Sequence, residues 1–212
     1  MTSRPDADLW ALARAERMAL ADDLAQLTEE QWHSRTLCGE WTVEEVTAHL
    51  IAAASTNQWR WLRSMIGARF DPDVHNQRRL DEYRGSSPAD TLRRFRSIVD
   101  STTAPSGHTP AYLGEIVVHA QDIRQPLGLT HTPSVDALIP VAEFFAQRDF
   151  AVQSKTRTVG VHLTADDAPF AAGTGLDVTG PVLALVMAMA GREAYLDQLS
   201  GPGLPTFRDN LR

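Results

Sequence analysis

The segment GEIVVHAQDI, residues 114–123, combines the apolar character of a buried helix with two chemically active side chains. Glu115 and His119 are four residues apart, so a helix projects both from one face. Apolar neighbours such as Ile116 and Ile123 argue against a fully exposed ion pair. Two interpretations remain: a buried Glu–His pair whose members satisfy each other, or two ligands of one metal ion.

The segment belongs to a helix that starts at Thr109-Pro110 and ends at Gly128. Start signals and apolar spacing predict three helices before it. The first runs from Asp6 to Leu27, the second runs from the T-x-x-E capping box at Thr42 to about Gly67, and the third runs from Ser87-Pro88 to about Thr103. Four amphipathic helices joined by short or moderate loops are typical of a helix bundle.

After Gly128 the pattern changes to a mixture of helices and strands. We predict, in order, a helix from Ser134 to about Gln153, strands near 158–163 and 176–178, and a helix from Pro181 to about Leu199. The expected fold is mainly α, with a helix-bundle domain over residues 1–153 and a small C-terminal α+β subdomain over residues 154–212.

Composition limits the partners that the protein can have. A net charge of -7 and a pI of about 5.4 argue against a nucleic-acid surface, which needs clustered lysine and arginine. A single cysteine excludes an intramolecular disulfide and suits a reducing cytoplasm. Neither a signal peptide nor an apolar run long enough to span a membrane is visible. We therefore expect a cytoplasmic monomer or homodimer that contacts neither nucleic acid nor membrane.

His49 is the best candidate for a third metal ligand. A catalytic zinc usually takes three protein ligands and keeps a fourth position open. His49 lies two turns into the capped helix, at the edge of an apolar stripe that contains Val46 and Leu50. In a bundle that edge can face the helix that carries Glu115 and His119. A lone histidine packed in the core is the alternative.

Cys38 precedes the start of the second predicted helix, a position where a thiolate is stabilised. No base is near it in the sequence. We therefore expect Cys38 to pack as a small hydrophobic residue and not to act as a nucleophile.

Three segments together indicate a family: GEWTVEEVTAHL (39–50), EIVVHAQDIRQPLG (115–128) and LDVTGPVLALVMAMAGR (176–192). Their order and spacing resemble the mycothiol-dependent maleylpyruvate isomerase family, whose N-terminal part is a DinB-like four-helix bundle. The likeness covers most of the chain, and only residues 68–108 carry no recognisable motif.

The resemblance implies a set of site residues and cofactors. It assigns a divalent metal, usually zinc, to His49, Glu115 and His119, and a catalytic role to Arg192. It also implies mycothiol as the thiol cosubstrate. Asp122 is then either an acceptor that orients a ligand histidine or a surface residue paired with an arginine. Arg192 either binds a substrate carboxylate or only stabilises a helix end.

The implied chemistry is addition of a metal-activated thiol to a small electrophile such as maleylpyruvate. Release of the thiol after bond rotation makes the enzyme an isomerase, and retention of the adduct makes it a thiol S-transferase. Two other classes stay open: a hydrolase that uses metal-bound hydroxide, and a non-catalytic metal-binding module.

Overall fold

The computed structural model describes residues 5–56, 80, 82–104 and 106–212. The chain forms two compact units, one over Asp6–His131 and one that contains Thr132–Arg212. The helix at Val135–Gln147 belongs to the later unit, so the units divide before the expected domain boundary at 153/154. The division into domains at that boundary stays a prediction.

The first unit contains the helices α1 (Asp6–Leu24), α2 (Glu29–Trp32), α3 (Val43–Ser55), α4 (Pro88–Ser97) and α5 (Thr109–Leu127). Helix α1 packs against α4 and α5, and α3 packs against the same two helices. These contacts close a ring of four helices, which confirms the predicted bundle. Its core is formed by fully buried side chains that include Leu20, Val46, Phe95, Leu113 and Ile123.

The start signals predicted at Thr42 and Ser87 are present, whereas Thr109 is the first residue of its helix and no side chain caps that helix. The Thr42 hydroxyl accepts a hydrogen bond from the Glu45 backbone N–H, and the Glu45 carboxylate accepts one from the Thr42 N–H. Ser87 caps α4 in the same way through the Asp90 N–H. Helix α5 ends at Gly128, whose φ of 67° lies in the left-handed region that favours glycine.

Several helices end before their predicted ends. Helix α1 ends at Leu24 instead of Leu27, and the helix that starts at Val135 ends at Gln147 instead of Gln153. Helix α3 ends at Ser55 because Thr56 takes up extended backbone, and the predicted continuation over residues 57–67 lies outside the described residues. Helix α4 ends at Ser97, before the predicted end at Thr103. None of the helices in the described part of the chain combines the length and the apolar character needed to cross a membrane.

The second unit contains α6 (Val135–Gln147), α7 (Ser154–Arg157), β1 (Val161–Ala165), β2 (Ala171–Gly173), β3 (Leu176–Gly180), α8 (Val182–Met189), a 3-10 helix (Glu193–Gln198) and α9 (Leu204–Asp209). The strand order is β2-β1-β3, with β1 antiparallel to β2 and parallel to β3. A small three-stranded sheet beside helices confirms the α+β character predicted for this region.

The helix predicted from Pro181 to Leu199 is interrupted. Gly191 has a φ of 91°, and a Cβ atom there would lie 2.9 Å from the Cζ of Arg157. The left-handed backbone favours glycine at this position. Helix α8 therefore stops at Met189, and the chain continues as a 3-10 helix from Glu193.

Candidate metal centre

The structure brings His49, Glu115 and His119 together, as the sequence analysis expected. His49 projects from α3, and the other two project from α5, against which α3 packs. Glu115 Oε1 lies 2.5 Å from His49 Nε2 and 3.5 Å from His119 Nε2. One ligand atom from each residue lies within 4.8 Å of the others. This arrangement can hold a metal ion, and the role of the three residues as ligands stays a prediction.

The cluster is partly buried, and Glu115 and His119 shift each other's pKa. Burial by itself would raise the pKa of Glu115, but hydrogen bonds and charge from His119 and His49 hold it well below its usual range. Burial by itself would lower the pKa of His119, but hydrogen bonds with Asp122, Cys38 and Glu115 raise it well above its usual value. A carboxylate between two imidazoles is thus an electrostatically coupled site.

Asp122 lies behind His119 and is fully buried. Its Oδ2 atom is 2.9 Å from His119 Nδ1, so an ionised Asp122 accepts the Nδ1–H. This hydrogen bond fixes the orientation of the imidazole, so that Nε2 faces Glu115. The interpretation of Asp122 as an exposed residue paired with an arginine is therefore wrong, because the side chain has no access to solvent.

A turn over residues 35–42 forms one side of the cluster. Gly39 has a φ of 59°, and the Leu37 backbone N–H donates to the Asp122 carbonyl oxygen at 3.1 Å, which fixes the turn to α5. The turn positions the Trp41 ring, whose centroid is 5.1 Å from that of His49.

Cys38 is half-buried in this turn. Cys38, His119 and Asp122 offer ligand atoms that lie within 4.8 Å of one another. They form a second group of possible metal ligands, which shares His119 with the group of His49 and Glu115. Along the chain, no base is close to Cys38. The structure places it beside the imidazole of His119, and no signal in the linear sequence indicates this proximity.

Arg192 lies in the second unit, just after α8. Its guanidinium donates to the Ala190 carbonyl oxygen at 2.7 Å, at the end of that helix. This contact agrees with a position at the helix end and does not test either of the two roles predicted for Arg192. Its contact with a substrate stays a prediction.

Comparison with protein-family models matches residues 13–111 to the family described as mycothiol maleylpyruvate isomerase N-terminal domain. Residues 13–111 are similar to that family, and the match spans slightly less than half of the chain. The family that the motifs indicated is thereby confirmed for the bundle. His49 lies inside the matched segment, whereas Glu115 and His119 follow directly after it.

Two solved structures share the fold over nearly the whole chain. They are crystal structures of the mycothiol-dependent maleylpyruvate isomerase and of a histidine-to-alanine mutant of it, with TM-scores of 0.64 and 0.63. Each match covers 95% of this chain and 96% of the other, at 15% sequence identity. This agreement confirms the predicted fold, a DinB-like bundle with a small α+β part. Comparison with curated proteins finds no match.

Proposed function

We propose that this protein is a divalent-metal-dependent isomerase that uses mycothiol to convert a small cis-unsaturated acid, such as maleylpyruvate, into its trans isomer. The observation that carries the proposal is the convergence of Glu115 Oε1 with the Nε2 atoms of His49 and His119. The similarity of residues 13–111 to the mycothiol maleylpyruvate isomerase N-terminal domain supports the choice of thiol and reaction.

The donor set fits a divalent metal, and zinc in particular. Two imidazole nitrogens and one carboxylate oxygen are a known ligand set of catalytic zinc, which keeps a further position open. A metal also supplies the positive charge that makes burial of the Glu115 carboxylate favourable. When bound, the metal would lower the pKa of a coordinated thiol so that it reacts as a thiolate near neutral pH.

Each side chain then has a defined task. His49, Glu115 and His119 would hold the metal, and Asp122 keeps His119 in the tautomer whose Nε2 can bind it. Arg192 would bind a substrate carboxylate through its planar fork of donors.

The thiol would act by reversible addition. A C–S bond forms at one alkene carbon, the former double bond rotates as a single bond, and the C–S bond then breaks. The products are the trans acid and the unchanged thiol, so no atoms are gained or lost.

The test compares His119→Ala with His162→Ala. His162 is a matched control because its Nδ1 also lies 2.9 Å from an aspartate, Asp177, but on the exposed sheet of the second unit. We expect the wild type and His162→Ala to carry about one zinc per chain and to show thiol-dependent isomerisation. His119→Ala should lose most of both, measured by metal mass spectrometry and by proton NMR of the cis and trans acids.

The outcomes separate the alternatives. Unchanged zinc content in His119→Ala would contradict the ligand assignment. Turnover that is independent of added thiol would indicate a hydrolase, and accumulation of the thioether adduct would indicate an S-transferase.

A further inference from the structure

The two histidines of the candidate metal centre are held in place in different ways. His119 is oriented by Asp122, whose Oδ2 atom lies 2.9 Å from Nδ1. His49 has its Nε2 at 2.5 Å from Glu115 Oε1, and no described residue forms a hydrogen bond with its Nδ1. A metal-binding histidine is normally oriented by an acceptor at its second nitrogen. The His49 ring therefore lacks the support from protein groups that the His119 ring has.

Ring contacts take the place of that hydrogen bond. The Trp41 ring centroid lies 5.1 Å from that of His49 at an interplanar angle of 45°, and the His119 centroid lies 4.9 Å from it at 75°. The last torsion angle of a histidine side chain has broad preferences, so rotamers alone leave the direction of Nε2 loosely defined. Two rings that pack against the imidazole restrict this rotation. Of these two rings, that of Trp41 is not itself part of the proposed ligand set.

The backbone of Trp41 is fixed within the turn over residues 35–42. Its carbonyl oxygen accepts hydrogen bonds from the Thr36 backbone N–H at 3.0 Å and from the Thr36 hydroxyl at 2.9 Å. Its own N–H donates to the Cys38 carbonyl oxygen at 3.1 Å. Thr42, the next residue, is the N-cap of α3, the helix that carries His49. Both polar groups of the Trp41 backbone are thus bonded, so the ring is a fixed surface beside the imidazole.

A bound metal makes this contact more favourable. A tryptophan that only shields the core would stabilise the metal-free and the metal-loaded protein equally. A metal ion on His49 makes the imidazole more positive, and tryptophan is the aromatic side chain that best accommodates positive charge within about 6 Å of its ring. The contact is then stronger with metal than without it, so Trp41 raises the affinity for metal.

We propose that Trp41 is a positioning residue that orients His49 for metal binding. It acts through the imidazole and does not touch the metal itself. The inference rests on the ligand set of the proposed function. The two histidines then have different supports, a buried carboxylate for His119 and an aromatic ring for His49.

The experiment measures zinc affinity of the full chain by competition with a chromophoric chelator. Trp41→Leu keeps an apolar side chain but removes the aromatic ring. We expect it to weaken zinc binding about threefold to tenfold, the upper part of the range that corresponds to an aromatic pair. Trp41→Phe keeps a ring beside His49 and should stay within about twofold of the wild type.

A double-mutant cycle tests whether Trp41 acts through His49. In a His49→Ala background, Trp41→Leu should cause no further loss of zinc affinity, because the imidazole that it orients is gone. Trp10→Leu is the matched control. Trp10 is a half-buried tryptophan of the same unit whose ring pairs with Tyr112 at 6.1 Å, so its loss should leave zinc affinity unchanged. Melting curves of the metal-free variants report the purely structural contribution of each ring.

Wild-type zinc affinity in a folded Trp41→Leu variant would overturn the proposal. Equal losses in Trp41→Leu and Trp41→Phe, or in Trp41→Leu and Trp10→Leu, would also overturn it, since bulk or general stability would then explain the effect. If His49→Ala leaves no measurable zinc binding, the comparison of leucine with phenylalanine decides. If Trp41→Leu does not fold, Trp41→Ile takes its place, and failure of both to fold would make Trp41 a residue of the fold only.

Zinc binding needs neither thiol nor turnover, so the two proposals can fail separately. A wild type whose zinc affinity depends on Trp41 but which shows no thiol-dependent isomerisation would refute the proposed function and not this inference. Thiol-dependent isomerisation by a protein whose zinc affinity does not depend on Trp41 would refute this inference alone.

Discussion

Replacing Asp122 with asparagine should weaken zinc binding about tenfold to a hundredfold, equivalent to about 1.4 to 2.8 kcal/mol. In the structure Asp122 is fully buried and accepts the Nδ1–H of His119 at 2.9 Å. Asparagine keeps the size of the side chain and can still accept this hydrogen bond. It loses the negative charge, which makes the bond about twice as strong as a neutral one and raises the basicity of the ligand nitrogen. Burial keeps water from screening the charge.

The assay is competition with a chromophoric zinc chelator, with circular dichroism to confirm that the variant is folded. Asp177→Asn is the matched control. Asp177 forms the same 2.9 Å contact with a histidine Nδ1, that of His162, but its side chain is 68% exposed whereas that of Asp122 is 0% exposed. We expect Asp177→Asn to bind zinc as the wild type does.

Wild-type zinc affinity in a folded Asp122→Asn variant would refute the reasoning, because the charge behind His119 would then make no difference to its strength as a ligand. An equal loss in Asp177→Asn would also refute it, since the effect would come from net charge and not from this hydrogen bond.

Two further predictions concern residues outside the proposed ligand set. Arg192→Ala should keep the zinc content and lower kcat/KM for an anionic substrate by about 10²- to 10³-fold, with partial rescue by lysine; wild-type rates together with a lower melting temperature would make Arg192 only a helix-end residue. Cys38→Ser should retain most thiol-dependent turnover, because the proposed nucleophile is the added thiol and serine can still hydrogen bond with His119; loss of turnover with zinc and fold intact would assign the chemistry to Cys38.

The sequence predicts those parts of the site that depend on local geometry. Glu115 and His119 share a helix face because of their spacing, and the capping box at Thr42 fixes where α3 begins and thus the face on which His49 lies. Packing of α3 against α5 is then enough to bring the three side chains together.

Contacts made by irregular segments could not be predicted in this way. Cys38 reaches His119 because the turn over residues 35–42 is attached to α5 by the hydrogen bond from Leu37 to Asp122. No periodicity relates a turn to a helix that lies far along the chain.

Arg17 lies between these two cases. It follows Ala13 by four residues and precedes Leu20 by three, so it falls within the apolar stripe of α1, and its buried position is readable from the sequence. Arg124 on α5 carries the same signal within a segment of buried residues. A buried arginine in either place implies a nearby acceptor, because an isolated cation is costly to bury. Which groups accept depends on which helices meet: Asp23 and Glu16 reach Arg124, whereas the backbone carbonyls of Ile98, Val99 and Ser101 accept from Arg17. Periodicity can therefore show that a charge is buried, and only the packing shows whether carboxylates or backbone carbonyls lie beside it.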